Sequence, residues 1–240
     1  MLDLPVVVLC GGLGTRLRPA VADRPKALAA VGDRPFLAVQ LELLRARGAR
    51  RFVLCVGHMA EQIEAEFGAG ASLGVRIDYS RDGEKLLGTG GALKRAAGHF
   101  APAAVVVNGD TYLDVDLARL ARVHASARVR GAVATLTLAH VPDASRFGAV
   151  ELRGNRVVGF GEKSVPGTGW VNAGAYVIER ELLDRVPAEE VVSLERDVFP
   201  AALRDGLRLA AVAHEEPFTD IGTPDAYRAF VSRRAALHAA

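Results

Sequence analysis

Three arginines and a lysine crowd one glycine loop. In "VVVLCGGLGTRLRPAVADRPK", residues 6–26, Arg16, Arg18, Arg24 and Lys26 stand against the single Asp23, four cations to one anion and a local charge of +3. The whole chain carries 30 Lys and Arg against 28 Asp and Glu, so this density is local and selects an anion. Gly11, Gly12 and Gly14 admit one, because backbone N–H groups approach a phosphate where no Cβ intervenes. The loop is neither of two familiar phosphate loops. A P-loop needs Gly-Lys-Ser/Thr running into a helix, yet Gly14 is followed by Thr15-Arg16, and Lys26 lies beyond Pro19 and Pro25. A dinucleotide fingerprint needs a third glycine where Leu17 stands.

Two carboxylates extend the chemistry. Asp110 follows "AVVVNG" and so stands at the carboxyl end of a buried strand, where ligands of open α/β sheets collect. Asp220 sits between "PFT" and "IGTP". Brought together beside a triphosphate, they suit Mg²⁺, with phosphate and water as the other ligands. Taken singly, Asp110 also fits a turn cap and Asp220 a residue leading into a helix. "LGTGGAL", residues 87–93, uses Gly88, Gly90 and Gly91 to open a helix and so presents free N–H groups and a surface without side chains. The six histidines, His58, His99, His124, His140, His214 and His238, are scattered without ligand spacing, and no G-x-S-x-G elbow surrounds Ser164 or Ser193. Cys10 and Cys55 each close an apolar run as small buried hydrophobes, with no disulfide framework between them.

The elements that must hold these residues follow from periodicity. Runs at 5–10, 51–56 and 103–108 are rich in Val, Leu and Phe, as in strands buried on both faces of a parallel sheet. Between them, "PFLAVQLELLRARG" (35–48) and "MAEQIEAEFG" (59–68) carry helical spacing bounded by Pro and Gly. After residue 130 the runs shorten, and helices are expected over about 193–205 and from Thr223 onward. The expected fold is α/β, a Rossmann-like open, mixed but mainly parallel sheet flanked by helices. A single domain spans 1–240, with a nucleotide-binding half at 1–130 and a sugar-phosphate half at 131–240.

These residues carry a resemblance. "GGLGTRLRP" followed by "RPKAL" resembles the signature of the sugar-nucleotidyltransferases, the nucleoside-diphosphate-sugar pyrophosphorylases. "LGTGGAL", "VVNGDTYLDVDL", "FGAVEL", "GEK", "VNAGAYVI" and "FTDIGTPDAY" resemble further blocks of that family in the family's order, over almost the whole chain. The resemblance implies a nucleotide site of Leu9, Gly11, Gly12, Gly14, Thr15, Arg16, Gly88, Thr89 and Gly90, with the "LGTGGAL" block against the nucleobase. Glu84 nearby would accept hydrogen bonds from guanine N1–H and N2–H₂. It implies Asp110 and Asp220 as Mg²⁺ ligands and a sugar-phosphate site of Asn108, Gly148, Glu162, Lys163 and Asn172. Arg16 and Lys26 are the expected catalytic cations, Arg16 forking onto the β- and γ-phosphates and Lys26 facing the α-phosphate and the incoming sugar phosphate.

The reaction so implied joins a nucleoside triphosphate, GTP foremost, to a sugar 1-phosphate and releases pyrophosphate. Within the family the short length and "NGDTYLDVDL" look most like the D-glycero-α-D-manno-heptose 1-phosphate guanylyltransferases. Mannose 1-phosphate guanylyltransferases and muramic acid 1-phosphate uridylyltransferases are the rivals. A non-catalytic subunit that binds a sugar nucleotide is the alternative of another class; kinase-like transfer is disfavoured by the missing P-loop residues. Composition and the lack of a long apolar run or basic leader give a cytoplasmic expectation, without nucleic-acid or membrane partners and with a homo-oligomer left open.

Overall fold

The computed structural model describes the chain except for residues 1, 18–20, 22, 146–147, 162–166, 217 and 239–240, and without the side chains of 235–238. The main elements in order are β1 (Val6–Leu9), α1 (Phe36–Ala46), β2 (Arg51–Val56), α2 (Ala60–Phe67), β3 (Arg76–Arg81), α3 (Gly88–Ala96), β4 (Ala103–Asn108), α4 (Leu117–Arg128) and β5 (Ala132–Val141). Then come β6 (Val150–Arg153), β7 (Arg156–Phe160), β8 (Gly169–Glu179), α5 (Phe199–Arg204), β9 (Arg208–His214) and α6 (Pro224–His238).

One nine-stranded sheet runs in the order β3-β2-β1-β4-β8-β5-β9-β7-β6. The pairs β3/β2, β2/β1, β1/β4 and β5/β9 are parallel. The pairs β4/β8, β8/β5, β9/β7 and β7/β6 are antiparallel, so only β7 and β8 run against the rest. The chain leaves β1 toward β2 on one side and returns at β4 on the other. That reversal opens a crevice beyond the carboxyl ends of β1 and β4, the place where such sheets bind ligands.

Strand composition explains why both sheet faces are covered. Val6 and Val8 enter one core with Phe52, Leu54, Val105 and Val107, against Leu37, Leu41 and Leu44 of α1. Val7, Val53, Ala104 and Val106 enter the other with Leu93 of α3 and Phe199 of α5. The apolar runs at 5–10, 51–56 and 103–108 are β1, β2 and β4, and the stretches 35–48 and 59–68 hold α1 and α2. Two elements are invisible to the apolar pattern. β3, "RIDYSR", is a polar edge strand with buried Ile77 and Ser80. The helix α4 starts on Asp116, whose side chain accepts from Arg119 N–H, and buries Leu117, Leu120, His124 and Ala127. The single helix expected over 193–205 divides into a π turn, Leu194–Val198, and α5. Among the described residues, no helix is long and apolar enough to cross a membrane.

Candidate active site

The crevice holds a cavity of about 450 Å³. Its walls include Leu9 at the end of β1, Gly11, Gly12, Gly14, Thr15, Arg16 and Lys26 of the loop that follows, Asn108 and Asp110 at the end of β4, Gly88 and Thr89 of α3, and Gly222. Glycine conformation shapes the first wall. Gly14 takes φ +60° and starts a turn in which Leu17 N–H donates to the Gly14 carbonyl at 2.9 Å. A Cβ on Gly12 would meet nothing within 4 Å, so that backbone faces open space. Among the described residues the N–H groups from Gly12 to Arg16 have no hydrogen-bond partner, which leaves donors for an anion.

Lys26 is the centre of charge. Its side chain is only 12% exposed, and its Nζ lies 2.7 Å from Asp110 Oδ2 and 3.9 Å from Asp220 Oδ1. Two backbone links hold the acids together. Thr111–Tyr112 pairs antiparallel with Thr219–Asp220, and Ile221 N–H donates to the Asp110 carbonyl at 3.0 Å. From α1, buried Gln40 donates through Nε2 to the carbonyls of Asn108 at 2.8 Å and Thr111 at 2.9 Å, clasping the turn that carries Asp110. Gly222 N–H donates to Asp220 Oδ1 at 2.7 Å. A Cβ there would stand 2.7 Å from that oxygen and 3.0 Å from Arg16 Nη2, so glycine lets Arg16 and Asp220 share the mouth of the crevice. Gln40 and Gly222 carry no motif that marks them in the sequence.

The donor set fits a hard cation. Two carboxylates from separate strand ends already share one ammonium, and Mg²⁺ is ordinarily held by one or two carboxylates with substrate phosphates and water. Among the described residues no group of three or more His, Cys, Asp or Glu is placed for a metal, so further ligands to such an ion would come from substrate and solvent.

Around the residues expected to face the base, the structure departs from the sequence expectation in two ways. Glu84 is exposed and does not line the cavity, whereas Asp82, two residues earlier, is buried and does. Burial pushes the Asp82 carboxyl above its usual range, opposed by the Leu87 N–H that donates to it at 3.1 Å. The glycines of "LGTGGAL" also differ in use. Gly88 and Thr89 line the cavity, but the N–H groups of Gly90 and Gly91 are not free: both donate to the Val192 carbonyl, at 2.8 and 3.3 Å. A Cβ on Gly91 would lie 2.4 Å from the Glu190 carbonyl, so these glycines admit a strap from the second half of the chain.

The sugar-phosphate set is only partly brought together. Asn108 lines the cavity, and its Oδ1 is buried without a partner among the described residues. Asn172 does not line it; its Nδ2 donates to Tyr176 Oη at 2.7 Å and its Oδ1 accepts from Gly174 N–H at 2.9 Å. Gly148, at φ +86°, donates its N–H to the Ala144 carbonyl away from the cavity lining. Glu162 and Lys163, like Arg18 of the first loop, lie outside the described residues. Trp170 is within β8 and packs edge-on against His140, with ring centroids 5.2 Å apart. Cys10 and Cys55 edge the cavity as inert thiols, burial pushing Cys10 up to about 12 and Cys55 well above its usual range.

The sequence matches the Nucleotidyl transferase family over residues 5–235. It is 41% identical over 227 residues to a mannose-1-phosphate guanylyltransferase of Mycobacterium tuberculosis, covering 93% of this chain but only 62% of that protein. It is 33% identical over 229 residues to a D-glycero-alpha-D-manno-heptose 1-phosphate guanylyltransferase of Campylobacter jejuni, covering 95% of this chain and 99% of that one. Among solved structures, HddC of Yersinia pseudotuberculosis superposes with a TM-score of 0.83 at 28% identity, over 96% of this chain and 99% of that one. A second structure of that protein, complexed with GMP-PN, superposes at 0.81. With the glycine loop, the crevice and the paired acids arranged on this sheet, the chain belongs to the nucleotidyl transferase family.

Proposed function

We propose that this chain, as one catalytic domain, joins GTP to D-glycero-α-D-manno-heptose 1-phosphate and releases GDP-heptose and pyrophosphate, with Mg²⁺ as its metal. The observation that carries this reading is the convergence of Lys26 on Asp110 and Asp220, at 2.7 and 3.9 Å, beside Arg16 and the open donors of the glycine loop. A subunit that only binds a sugar nucleotide has no need of all four groups in one place.

The sugar phosphate oxygen is already ionised at neutral pH, so attack on the α-phosphorus needs alignment and charge neutralisation, not a protein nucleophile. Lys26, a compact cation in a shielded position, draws the α-phosphate and the incoming phosphate together. Arg16 forks onto the departing pyrophosphate, and the N–H groups of Gly12 to Arg16 receive the remaining phosphate oxygens. Mg²⁺ on Asp110 and Asp220 would neutralise the triphosphate further. The bond to the leaving pyrophosphate breaks as the sugar phosphate oxygen bonds to phosphorus, with no covalent enzyme intermediate. For the base, buried Asp82 takes the role first given to Glu84, accepting from guanine N1–H and N2–H₂ where uracil and thymine have one imide N–H.

The heptose reading is supported by full-length coverage of the Campylobacter relative. Mannose 1-phosphate is the second reading, favoured by the higher identity to the Mycobacterium protein, of which this chain spans 62%. Asn108 is the group best set to meet the sugar phosphate, with Gly148, Glu162, Lys163 and Asn172 assigned by resemblance. The reaction is assigned to the cytoplasm. A matrix of GTP, UTP, dTTP, CTP and ATP against heptose, mannose, glucose and muramic acid 1-phosphates, read by pyrophosphate release, tests it. Preference for GTP with a manno-configured sugar is expected; preference for UTP or dTTP overturns the guanylyl assignment, and no release with any pair overturns the reaction.

A further inference from the structure

One carboxylate belongs to neither substrate site yet touches groups on the way to both. Glu195, in the π turn before α5, accepts through Oε2 from Thr89 Oγ1 at 3.0 Å and from Ser193 Oγ at 3.0 Å. Through Oε1 it accepts from Tyr176 Oη at 3.1 Å. Thr89 lines the cavity in the first turn of α3, and its hydroxyl oxygen accepts Leu194 N–H at 2.8 Å. Tyr176 is fully buried, and its oxygen accepts from Asn172 Nδ2 at 2.7 Å; Asn172 Oδ1 accepts Gly174 N–H at 2.9 Å, and Gly174 lies against the Asn108 side chain, where a Cβ would stand 3.0 Å from Nδ2. The residues so joined come from α3, the π turn, β8 and the end of β4, and Asn108 again faces the cavity.

The same strap is tied by its backbone. Val192 N–H donates to the Leu87 carbonyl at 2.9 Å, while the Val192 carbonyl takes Gly90 and Gly91 N–H. The start of α3 therefore cannot shift without moving Glu195. With its single proton given to Glu195, the Tyr176 hydroxyl has only acceptor capacity left for the Asn172 amide, which sets how Asn172 points, Nδ2 to the tyrosine and Oδ1 to Gly174 N–H. The hydrogen bonds among Thr89, Glu195, Tyr176 and Asn172 match donor to acceptor in one arrangement, so an ordered base wall favours an ordered sugar wall.

We infer that Glu195 is a positioning residue which, with Tyr176, locks the nucleobase wall to the sugar-phosphate wall, so that filling one site tightens the other. This rests on the reaction proposed above.

The test is calorimetry on the full chain, using a non-hydrolysable GTP analogue and the sugar 1-phosphate that releases pyrophosphate in the matrix. In the parent, saturating analogue tightens sugar-phosphate binding. In Tyr176→Phe, which keeps the ring, and in Glu195→Gln, that tightening falls by about 3- to 30-fold or disappears, the range for residues lying between coupled sites. Affinity for the analogue alone stays within about threefold in Tyr176→Phe, as expected when the coupling is lost and the base site is kept. Thr89→Ser, which keeps both hydrogen bonds of the hydroxyl, retains the tightening and Thr89→Val loses it. Should Tyr176→Phe fail to fold, the Thr89 pair decides. Tightening within twofold of the parent in these variants, or none in the parent, overturns the inference. Absence of pyrophosphate release by the parent with every substrate pair overturns the reaction instead.

Discussion

Lys26 and Asp110, 84 positions apart, meet at 2.7 Å in the crevice between β1 and β4. The lysine follows a proline at the end of the first loop, and the aspartate follows the strand paired with β1. Parallel pairing of β1 with β4 brings both to the same end of the sheet.

That pairing predicts a functional loss out of proportion to stability. Lys26→Ala and Asp110→Asn each lower pyrophosphate release by on the order of 10²-fold or more, as for removal of a charge-stabilising group. Their thermal midpoints stay near that of the parent, because Lys26→Ala leaves two partly exposed acids and Asp110→Asn leaves Lys26 beside Asp220. Steady-state kinetics with circular dichroism checks both parts.

Asp82 sets a trade-off between stability and base choice. Its folded carboxyl titrates above the unfolded value because of burial, so its stabilising contribution is present at low pH and is lost as pH rises through the raised value. Asp82→Asn, which can still accept from Leu87 N–H, therefore gains in thermal midpoint over the parent at pH 8 and has a smaller advantage at pH 4. The same variant loses its preference for GTP. In the parent, the KM for GTP rises as pH falls and Asp82 takes up its proton. Melting curves at the two pH values and the triphosphate panel measure these effects.

Gln40 supports the turn that carries Asp110. Gln40→Leu leaves the buried carbonyls of Asn108 and Thr111 without their donor, costing about 1–3 kcal/mol in urea unfolding. The expected kinetic signature is a fall in kcat, since the displaced residue is Asp110 and not the base wall.

Gly91→Ala forces a methyl to within 2.4 Å of the Glu190 carbonyl and displaces the strap over α3. Gly98→Ala, where a Cβ would meet nothing within 4 Å, is the control. The first variant loses stability and raises the KM for GTP; the second does neither. A Gly91→Ala protein with parental melting and parental KM would show that the strap does not shape the base site.

Much of this protein is legible in its residues. The runs that become β1, β2 and β4 are apolar on successive positions, with Arg51 and Asn108 at their ends, because both faces of those strands are covered, and local pattern suffices to read them. The glycine loop is equally readable as a candidate anion site, since three glycines and a cluster of cations stand together in a nearly neutral chain. Asp110 and Asp220 were separable as candidates by their places after a strand and before a helix, and a short antiparallel pairing unites them.

What the sequence by itself determined was thus the strands β1, β2 and β4 with the helices α1 and α2 between them, and the glycine loop with its cluster of cations. Tertiary structure decided which carboxylate of "RDGEK" faces the cavity: Asp82 points inward and Glu84 outward, a choice made by the loop packing against Leu87 and not by residue type. It also decided that Gly90 and Gly91 receive the Val192 strap, that Gln40 clasps the Asp110 turn, and that Glu195 meets Thr89 across 106 positions. Each of these is a contact between segments distant in the chain. Local propensity acts over a few residues, and only the closed sheet brings such groups within hydrogen-bonding distance.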